Sequence, residues 1–181
     1  MGDCVVNMEN FFKKVLLGRE FENIKGRIIL FGRIDWLLHP SHALAKNLQT
    51  IGEKNGPKFL YDLGYENGKI FVEDLDKIIG KTWIEKEKVM SFLSSFISFG
   101  KINFISFKSD NNKHKIIFYI TNNSTILEAK KLFGSKSMVC NFFRGIFSGY
   151  IESAFNIKSI KLKEAKCVCK GSRFCEFGSK L

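Results

Sequence analysis

Four side chains in the C-terminal part of this 181-residue chain have the types and the spacing to hold a soft metal ion. If Gly171 lies at the turn of a hairpin, Cys167 and Cys175 lie four residues to either side of it and face each other across the strands. Cross-strand neighbours have Cβ atoms about 4.5–5.5 Å apart, which lets two thiolates share one tetrahedral ion.

Glu164 lies three residues before Cys167, and an odd offset puts two side chains on opposite faces of an ideal strand. If both are ligands, the strand must bulge or bend between them. Cys140, at the start of a predicted helix, would supply a fourth ligand from a distance. A thiolate-rich set favours zinc over magnesium or calcium, and four protein ligands make the closed arrangement of a structural site.

The same spacing is also compatible with buried thiols in a small hairpin core, because free cysteine is among the most buried residue types. The cysteines do not form a standard C-x2-C pair, and Cys169 permits a different choice of ligands. Spacing alone leaves the metal site and the packed thiols open as interpretations.

Motifs for other chemistry are missing. The run 79–82 contains Gly-Lys-Thr, but a phosphate loop needs a glycine where Leu75 stands, so a nucleotide site is rejected. No G-x-S-x-G sequence marks a nucleophile. We therefore predict no catalytic residues and expect a protein that is not an enzyme.

Composition narrows the class further. The net charge of +11 raises the possibility of nucleic-acid binding, but the lysines are scattered and no DNA- or RNA-binding motif is present. No stretch approaches the roughly 20 apolar residues of a membrane helix, and the N-terminus does not read as a signal peptide. Cysteines in such a chain favour metal ligands or packed thiols over disulfides. These features predict a cytoplasmic protein that binds neither nucleic acid nor membranes.

The elements that must position these side chains follow from periodicity and turn residues. We predict a strand region at Gly26–Leu38, then a helix from Ala43 with Ser41 as its N-cap and a break at Asn55–Pro57. Two further helices are predicted at Trp83–Phe99 and Cys140–Phe155. Two hairpins are predicted: one of Ile102–Phe107 and Lys115–Thr121, and a final one of Ser159–Cys169 and Arg173–Phe177, turned by Lys170–Ser172. Mixed helices and antiparallel hairpins predict a single α+β domain that leans to α/β.

Gly145 and Gly149 lie in the interior of the predicted helix Cys140–Phe155, where each costs about 1 kcal/mol relative to Ala. Such a cost indicates that something packs closely there. Another helix, the same helix of a second subunit, or a ligand are the candidates.

The chain resembles the 4-vinyl reductase domain family, whose fold is similar to that of the TRAPP vesicle-tethering subunits. The resemblance covers the chain from about Gly26, and its specific motifs lie at the C-terminal end. They are Cys140, then Phe143, Gly145 and Gly149, then Glu164-x2-Cys167-x3-Gly171-x3-Cys175-x-Phe177, with Gly64 and Gly68 also fitting earlier in the chain. In the family's phenol-sensing transcription activators a matching Cys, Glu, Cys, Cys set binds zinc beside the effector pocket. The resemblance implies the same role for Cys140, Glu164, Cys167 and Cys175, and leaves Cys169 as a packed thiol.

The resemblance implies a stand-alone, zinc-containing sensor or carrier domain for an apolar or aromatic ligand, without the ATPase and DNA-binding modules of the activators. We expect an N-terminal extension at 1–25, the domain at 26–181, a homodimer, and a ligand pocket that includes Phe143, Gly145, Phe147 and Gly149. Two alternatives are an accessory protein for reduction of a tetrapyrrole vinyl group and a purely structural dimerisation module.

Overall fold

The computed structural model describes residues 21–24, 27–30, 34–36, 39–79, 90, 94, 99–110, 113–158 and 160–179. The chain divides into two compact units, one of Met1–His39 and Glu73–Glu85, and the other of Pro40–Val72 and Lys86–Leu181. All residues of the predicted metal site and ligand pocket belong to the second unit.

The first unit contains a three-stranded antiparallel sheet. Its strands are β1 (Phe21–Ile24), β2 (Arg27–Leu30) and β3 (Ile34–Trp36), in the order β1-β2-β3. The strand region predicted from Gly26 to Leu38 is thus confirmed at β2 and β3. The boundary between the extension 1–25 and the domain 26–181 stays a prediction.

The second unit combines helices with a four-stranded antiparallel sheet. The helices are α1 (Ser41–Asn55), α2 (Pro57–Ile79, which continues into the first unit), α3 (Ser124–Phe133) and α4 (Val139–Phe155). The strands are β4 (Lys101–Asp110), β5 (Lys113–Thr121), β6 (Lys163–Lys166) and β7 (Cys175–Gly178), in the order β4-β5-β7-β6. The α+β class and the hairpin of β4 and β5 are confirmed. Within the described ranges, no helix has both the length and the apolar content needed to cross a membrane.

The start of α1 differs from the prediction by one residue. Pro40 occupies the N-cap position and Ser41 is the first helical residue, so the predicted cap at Ser41 is wrong. The Ser41 hydroxyl instead makes a hydrogen bond of 2.9 Å with the Ser124 hydroxyl at the start of α3. The predicted break is confirmed at Gly56, whose φ of +87° separates α1 from α2. Of the helix predicted at 83–99, residues 90 and 94 are described as helical, Phe99 lies beyond the helix, and the other positions lie outside the described residues.

Helices α2 and α4 pack through glycines and run in the same direction, since successive contacts advance along both. A Cβ atom on Gly64 would lie 2.0 Å from the carbonyl oxygen of Phe142, and one on Gly145 would lie 2.1 Å from that of Tyr61. Gly68 and Gly149, one turn later, approach the facing backbone as closely. No side chain fits at these distances, so the two backbones are in direct contact. The interior glycines of α4 are therefore explained by packing within one chain.

Aromatic side chains join α4 to the sheet. Phe118 on β5, Phe177 on β7, and Phe143 and Phe147 on α4 are each at most 2% exposed. The ring centroid of Phe118 lies 5.5 Å from that of Phe147 and 5.7 Å from that of Phe177. This cluster fixes α4 against β5 and β7, and thereby the distance between Cys140 and the final hairpin.

Candidate metal centre

Cys140 is the second residue of α4, and a buried glutamine from α1 holds the chain just before it. Gln49 Oε1 accepts the backbone N–H of Met138 at 2.9 Å, and Gln49 Nε2 donates to the carbonyl oxygen of Lys136 at 3.3 Å. No side chain of the N-cap residue itself caps α4. The amide of Gln49, which is 3% exposed, therefore satisfies a backbone donor that the helix start would leave free.

A β-bulge in β6 brings Glu164 and Cys167 to the same side. Lys163 and Glu164 pair with Gly178 and Phe177, but the next pair is Lys166 with Glu176, so Ala165 is skipped. A bulge inserts one extra residue on one strand and so reverses the face on which the later residues of that strand lie. Strand β6 thus has the bulge that Glu164 and Cys167 need in order to lie on the same face.

The final hairpin is shorter than predicted and does not close in a tight turn at Lys170–Ser172. After Cys167 the chain forms a 3₁₀ turn at Val168–Lys170, followed by Gly171 with φ +95°. The Cys167 carbonyl accepts the N–H groups of Lys170 and Ser172 at 3.1 and 3.0 Å, which folds the segment back on itself. The Val168 N–H donates to Cys175 Sγ at 3.3 Å, which favours the thiolate. The hydrogen bond with Cys167 and burial act more strongly in the opposite direction and raise the pKa of Cys175.

The four predicted ligands converge on one point. Each offers one ligand atom, and these atoms all lie within 4.8 Å of one another. Cys140 Sγ lies 3.4 Å from Cys167 Sγ and 3.9 Å from Cys175 Sγ. Zinc–sulfur bonds of about 2.3 Å in tetrahedral geometry place two sulfurs about 3.8 Å apart. The cluster of Cys140, Glu164, Cys167 and Cys175 could therefore hold a metal ion with little rearrangement.

The described residues leave one buried polar atom of this cluster without a hydrogen bond. Glu164 Oε1 is buried, and no hydrogen-bond partner lies within reach among the described residues. Burial and the nearby charge of Cys167 raise the pKa of Glu164 to about 7. The thiol of Cys140 hydrogen-bonds to Cys167, which raises the pKa of Cys140 and lowers that of Cys167. Without a cation the groups compete for one negative charge, and a divalent ion would let them ionise together.

Cys169 is not a member of the group of four ligand atoms, although its thiol interacts with those of Cys140 and Cys167. It is 5% exposed, and its Sγ donates to the carbonyl oxygen of Ile126 on α3 at 3.8 Å. Lys166, Lys170 and Arg173 are exposed around the hairpin. Lys170 is close enough for its charge to act against the rise in the pKa of Glu164, while Lys166 forms an ion pair of 2.9 Å with Glu176.

The residues predicted to line a ligand pocket lie in the core of the second unit. Phe143 and Phe147 are buried in the aromatic cluster, while Gly145 and Gly149 face the backbone of α2. The described residues of this unit also line two cavities elsewhere. One of about 40 Å³ lies beside Cys175. The other, of about 230 Å³, is a groove lined by Tyr61, Asp62, Tyr65, Glu152, Ile160 and Lys161. The pocket assignment stays a prediction.

Sequence reasoning missed two features of this region. Gln49 has no local signature, because a single glutamine in an amphipathic helix is typically a surface residue. The groove near Tyr65 depends on two helices that only the fold brings together.

Burial and a hydrogen bond to Glu152 raise the pKa of Tyr65 to about 12, so its hydroxyl stays protonated there.

Comparison with known proteins supports the fold. No protein-family model matches the chain, and no curated protein matches it either. Among solved structures, the phenol-responsive sensory domain of the transcription activator PoxR, determined with phenol, is similar, with a TM-score of 0.75 and 16% identity. The match covers 96% of this chain and 90% of that domain.

Two further structures match over most of the chain. A trafficking protein particle complex subunit 3 from Naegleria fowleri, covalently bound to palmitic acid, has a TM-score of 0.55 and 14% identity, and covers 78% of this chain and 94% of its own. A vinyl-4-reductase family protein from Methanocaldococcus jannaschii has a TM-score of 0.46 and 20% identity, over 80% of this chain and 83% of its own. The similarities to the phenol-responsive domain and to the trafficking complex subunit show that this chain shares their fold.

Proposed function

We propose that the chain is a zinc-containing domain that binds a small apolar or aromatic molecule as a sensor or carrier, with zinc held by Cys140, Glu164, Cys167 and Cys175. The observation that carries the metal part is the convergence of four ligand atoms within 4.8 Å. Among the described residues, the buried Oε1 of Glu164 in this group has no hydrogen-bond partner. Burying such an oxygen costs free energy unless a donor or a cation faces it.

Zinc in this position would have a structural role. Four protein ligands leave no open position for a reacting water. Bound there, the ion would join the start of α4 to the hairpin of β6 and β7, two elements that are 24 residues apart between Cys140 and Glu164. Three thiolates and one carboxylate around a divalent ion leave a net charge of about −2, which Lys170 and Arg173 would offset.

The small-molecule part is supported by the fold. The chain follows the phenol-responsive sensory domain over 96% of its length, and that protein was solved with phenol. An aromatic ring is the ligand class we propose for this chain, with Phe143 and Phe147 near the binding site. A cytoplasmic homodimer is the assembly we propose.

A structural interaction module is the second candidate. One observation favours it: Phe118, Phe143, Phe147 and Phe177 already fill the space between α4 and the sheet. A ligand at Phe143 and Phe147 would have to displace or separate these rings, whereas an interaction module would need no such movement.

Thermal unfolding of the zinc-loaded protein with and without phenol and related monocyclic aromatic compounds tests the proposal. A ligand that binds only the folded state at 100 times its Kd stabilises it by about 2.7 kcal/mol, which raises the melting temperature by several degrees. Cyclohexanol, similar in size but without the aromatic ring, serves as the matched ligand control. If no aromatic compound shifts the melting temperature, the interaction module replaces the sensor.

A further inference from the structure

Two asparagines of the second unit are each followed directly by a glycine. Asn55–Gly56 lies at the end of α1, and Asn67–Gly68 lies in the middle of α2. In this dipeptide the asparagine side chain can react with the next backbone nitrogen, because glycine has no side chain to hinder the approach. The two pairs have the same local chemistry, so any difference between them must come from the fold.

The two asparagine side chains have similar surroundings. Both are exposed, and each amide nitrogen donates to the carbonyl oxygen four residues earlier. Asn55 Nδ2 lies 3.1 Å from the Ile51 oxygen, and Asn67 Nδ2 lies 2.8 Å from the Leu63 oxygen. Each side chain must therefore break one exposed hydrogen bond before it can react, which favours neither position.

The first glycine lies at an open helix end. Gly56 has a φ of +87°, and a Cβ atom added there would meet no atom within 4 Å. Its N–H donates to the Gly52 carbonyl oxygen at 2.7 Å, the bond that closes the last turn of α1. Helix ends fray at little cost in free energy, so this bond opens readily and frees the Gly56 nitrogen.

The second glycine is held by two helices at once. A Cβ atom on Gly68 would lie 2.1 Å from the carbonyl oxygen of Ile146, so its backbone is in direct contact with α4. Its N–H lies inside α2, where the helical pattern directs it to the Gly64 carbonyl. The Gly68 nitrogen can reach the Asn67 side chain only if α2 unwinds there. Opening of a packed interior costs far more free energy than fraying of an end.

We propose that Asn55 is a site of deamidation in the folded protein and that the packing of α2 on α4 protects Asn67. The Gly56 nitrogen attacks Cγ of Asn55, the bond from Cγ to the side-chain nitrogen breaks, and that nitrogen leaves as ammonia with the Gly56 proton. Water from solvent then opens the cyclic imide at either carbonyl group, which gives aspartate or isoaspartate at position 55. No atom is oxidised or reduced. The reaction requires neither metal nor ligand, so it is independent of the proposed function.

The modification changes the junction between α1 and α2. Either product places a carboxylate at the C-terminal end of α1, where the helix dipole disfavours negative charge. Isoaspartate also lengthens the backbone by a methylene carbon. Gly52, one turn earlier, packs so closely that an added Cβ would lie 2.6 Å from Leu60 Cδ1 and 3.1 Å from Met138 Sδ. Deamidation should therefore loosen the last turn of α1 from α2 and from the segment before α4.

The experiment incubates the purified protein in mildly alkaline buffer, which removes the proton from the attacking nitrogen, and maps its peptides by mass spectrometry. The maps give separate rates for Asn55 and Asn67 in the same molecules. Asn55 should react at least about tenfold faster than Asn67. Labelling by an isoaspartyl-specific methyltransferase reports the isomerised product, and Asn55→Gln, which keeps the amide but lengthens the side chain, should remove most of that signal.

A parallel incubation in urea, above the unfolding transition, measures the same two positions without the fold. There the two rates should become similar, which assigns the difference in the folded protein to structure. Gly64→Ala, which pushes α2 away from α4, should speed the reaction of Asn67 and leave that of Asn55 unchanged. If this variant does not fold, the comparison with urea still decides. Equal rates in the folded protein, a faster reaction at Asn67, or an unmodified Asn55 would overturn the inference.

Discussion

The middle of α4 and its first turn are held in opposite ways. In the middle, Gly145 faces the backbone of α2 so closely that no added atom fits, and the polypeptide alone completes the contact. At the first turn, Cys140 meets Glu164, Cys167 and Cys175 in a group where the buried Glu164 Oε1 has no hydrogen-bond partner within the described part of the chain. In α4, the packing on α2 therefore needs no bound ion, whereas the cluster at Cys140 has a place for a cation.

The two regions should therefore respond differently to changes in the surroundings of the protein. Direct backbone packing needs no bound ion, so the α2–α4 contact should not depend on metal. The cysteine cluster depends on charge and on the oxidation state of its thiols, so it should respond to metal, pH and oxidants. Substitutions in one region should therefore have effects that differ in kind from those in the other.

The largest effect is expected from Gly64→Ala, which changes the backbone contact between α2 and α4. Its Cβ would lie 2.0 Å from the Phe142 carbonyl oxygen, so the two helices must separate. We expect a loss of about 3 kcal/mol in the free energy of unfolding, measured by urea denaturation, with or without zinc. Gly178→Ala is the matched control, because its added Cβ meets neighbours at 3.4–3.5 Å, an ordinary contact. Equal losses for the two variants would contradict the backbone packing.

Gln49→Met should have a smaller effect on the free energy of unfolding. It changes the contacts that hold the chain just before α4. It removes the acceptor for the Met138 N–H and the donor to the Lys136 carbonyl, at a cost of about 1–3 kcal/mol. Because these contacts place the start of α4, zinc affinity measured by chelator competition should also fall. Asn67→Ala, which removes an exposed amide that donates to the Leu63 carbonyl oxygen of the same helix, should change neither quantity. Zinc affinity that stays unchanged in Gln49→Met would show that the helix start does not position the cluster.

A third effect is expected in the pH dependence of the metal-free protein. Glu164 has a pKa of about 7 in the folded chain against an ordinary value of 4.5, so between these pH values the folded state binds more protons than the unfolded state. Its contribution to stability therefore falls as pH rises from about 4.5 to 7. Glu164→Gln should remove this part of the slope in denaturation curves recorded across the window. In zinc-loaded protein the sign should reverse, because ligands must lose protons to bind the metal. A slope that Glu164→Gln leaves unchanged would contradict the raised pKa of Glu164.

Much of this arrangement could be predicted from local sequence signals. The hairpin of β4 and β5 follows from two apolar runs joined by a polar turn. A bulge or bend between Glu164 and Cys167 was predicted on the condition that both are metal ligands, and the bulge is present. The unusual cost of Gly145 indicated a close contact, although not which partner makes it. That partner is α2, more than 70 residues earlier in the chain, and no local pattern identifies such a pairing.

The remaining errors come from tertiary contacts that override local preference. Ser41 is a good N-cap by type, but its hydroxyl bonds to Ser124 of another helix and Pro40 takes the cap position. Lys170–Ser172 has the composition of a tight turn. The chain there instead forms a 3₁₀ turn, whose N–H groups are directed at the Cys167 carbonyl and the Cys175 sulfur.

Metal stoichiometry by native mass spectrometry tests the central claim most directly. The purified protein should carry about one zinc ion per chain, as a four-ligand site requires. Cys140→Ser, Cys167→Ser and Cys175→Ser should each lose the ion, while Cys169→Ser, which changes a thiol directed at the Ile126 carbonyl, should retain it. Full zinc occupancy in Cys175→Ser, or loss of zinc from Cys169→Ser alone, would contradict the assignment of the four ligands.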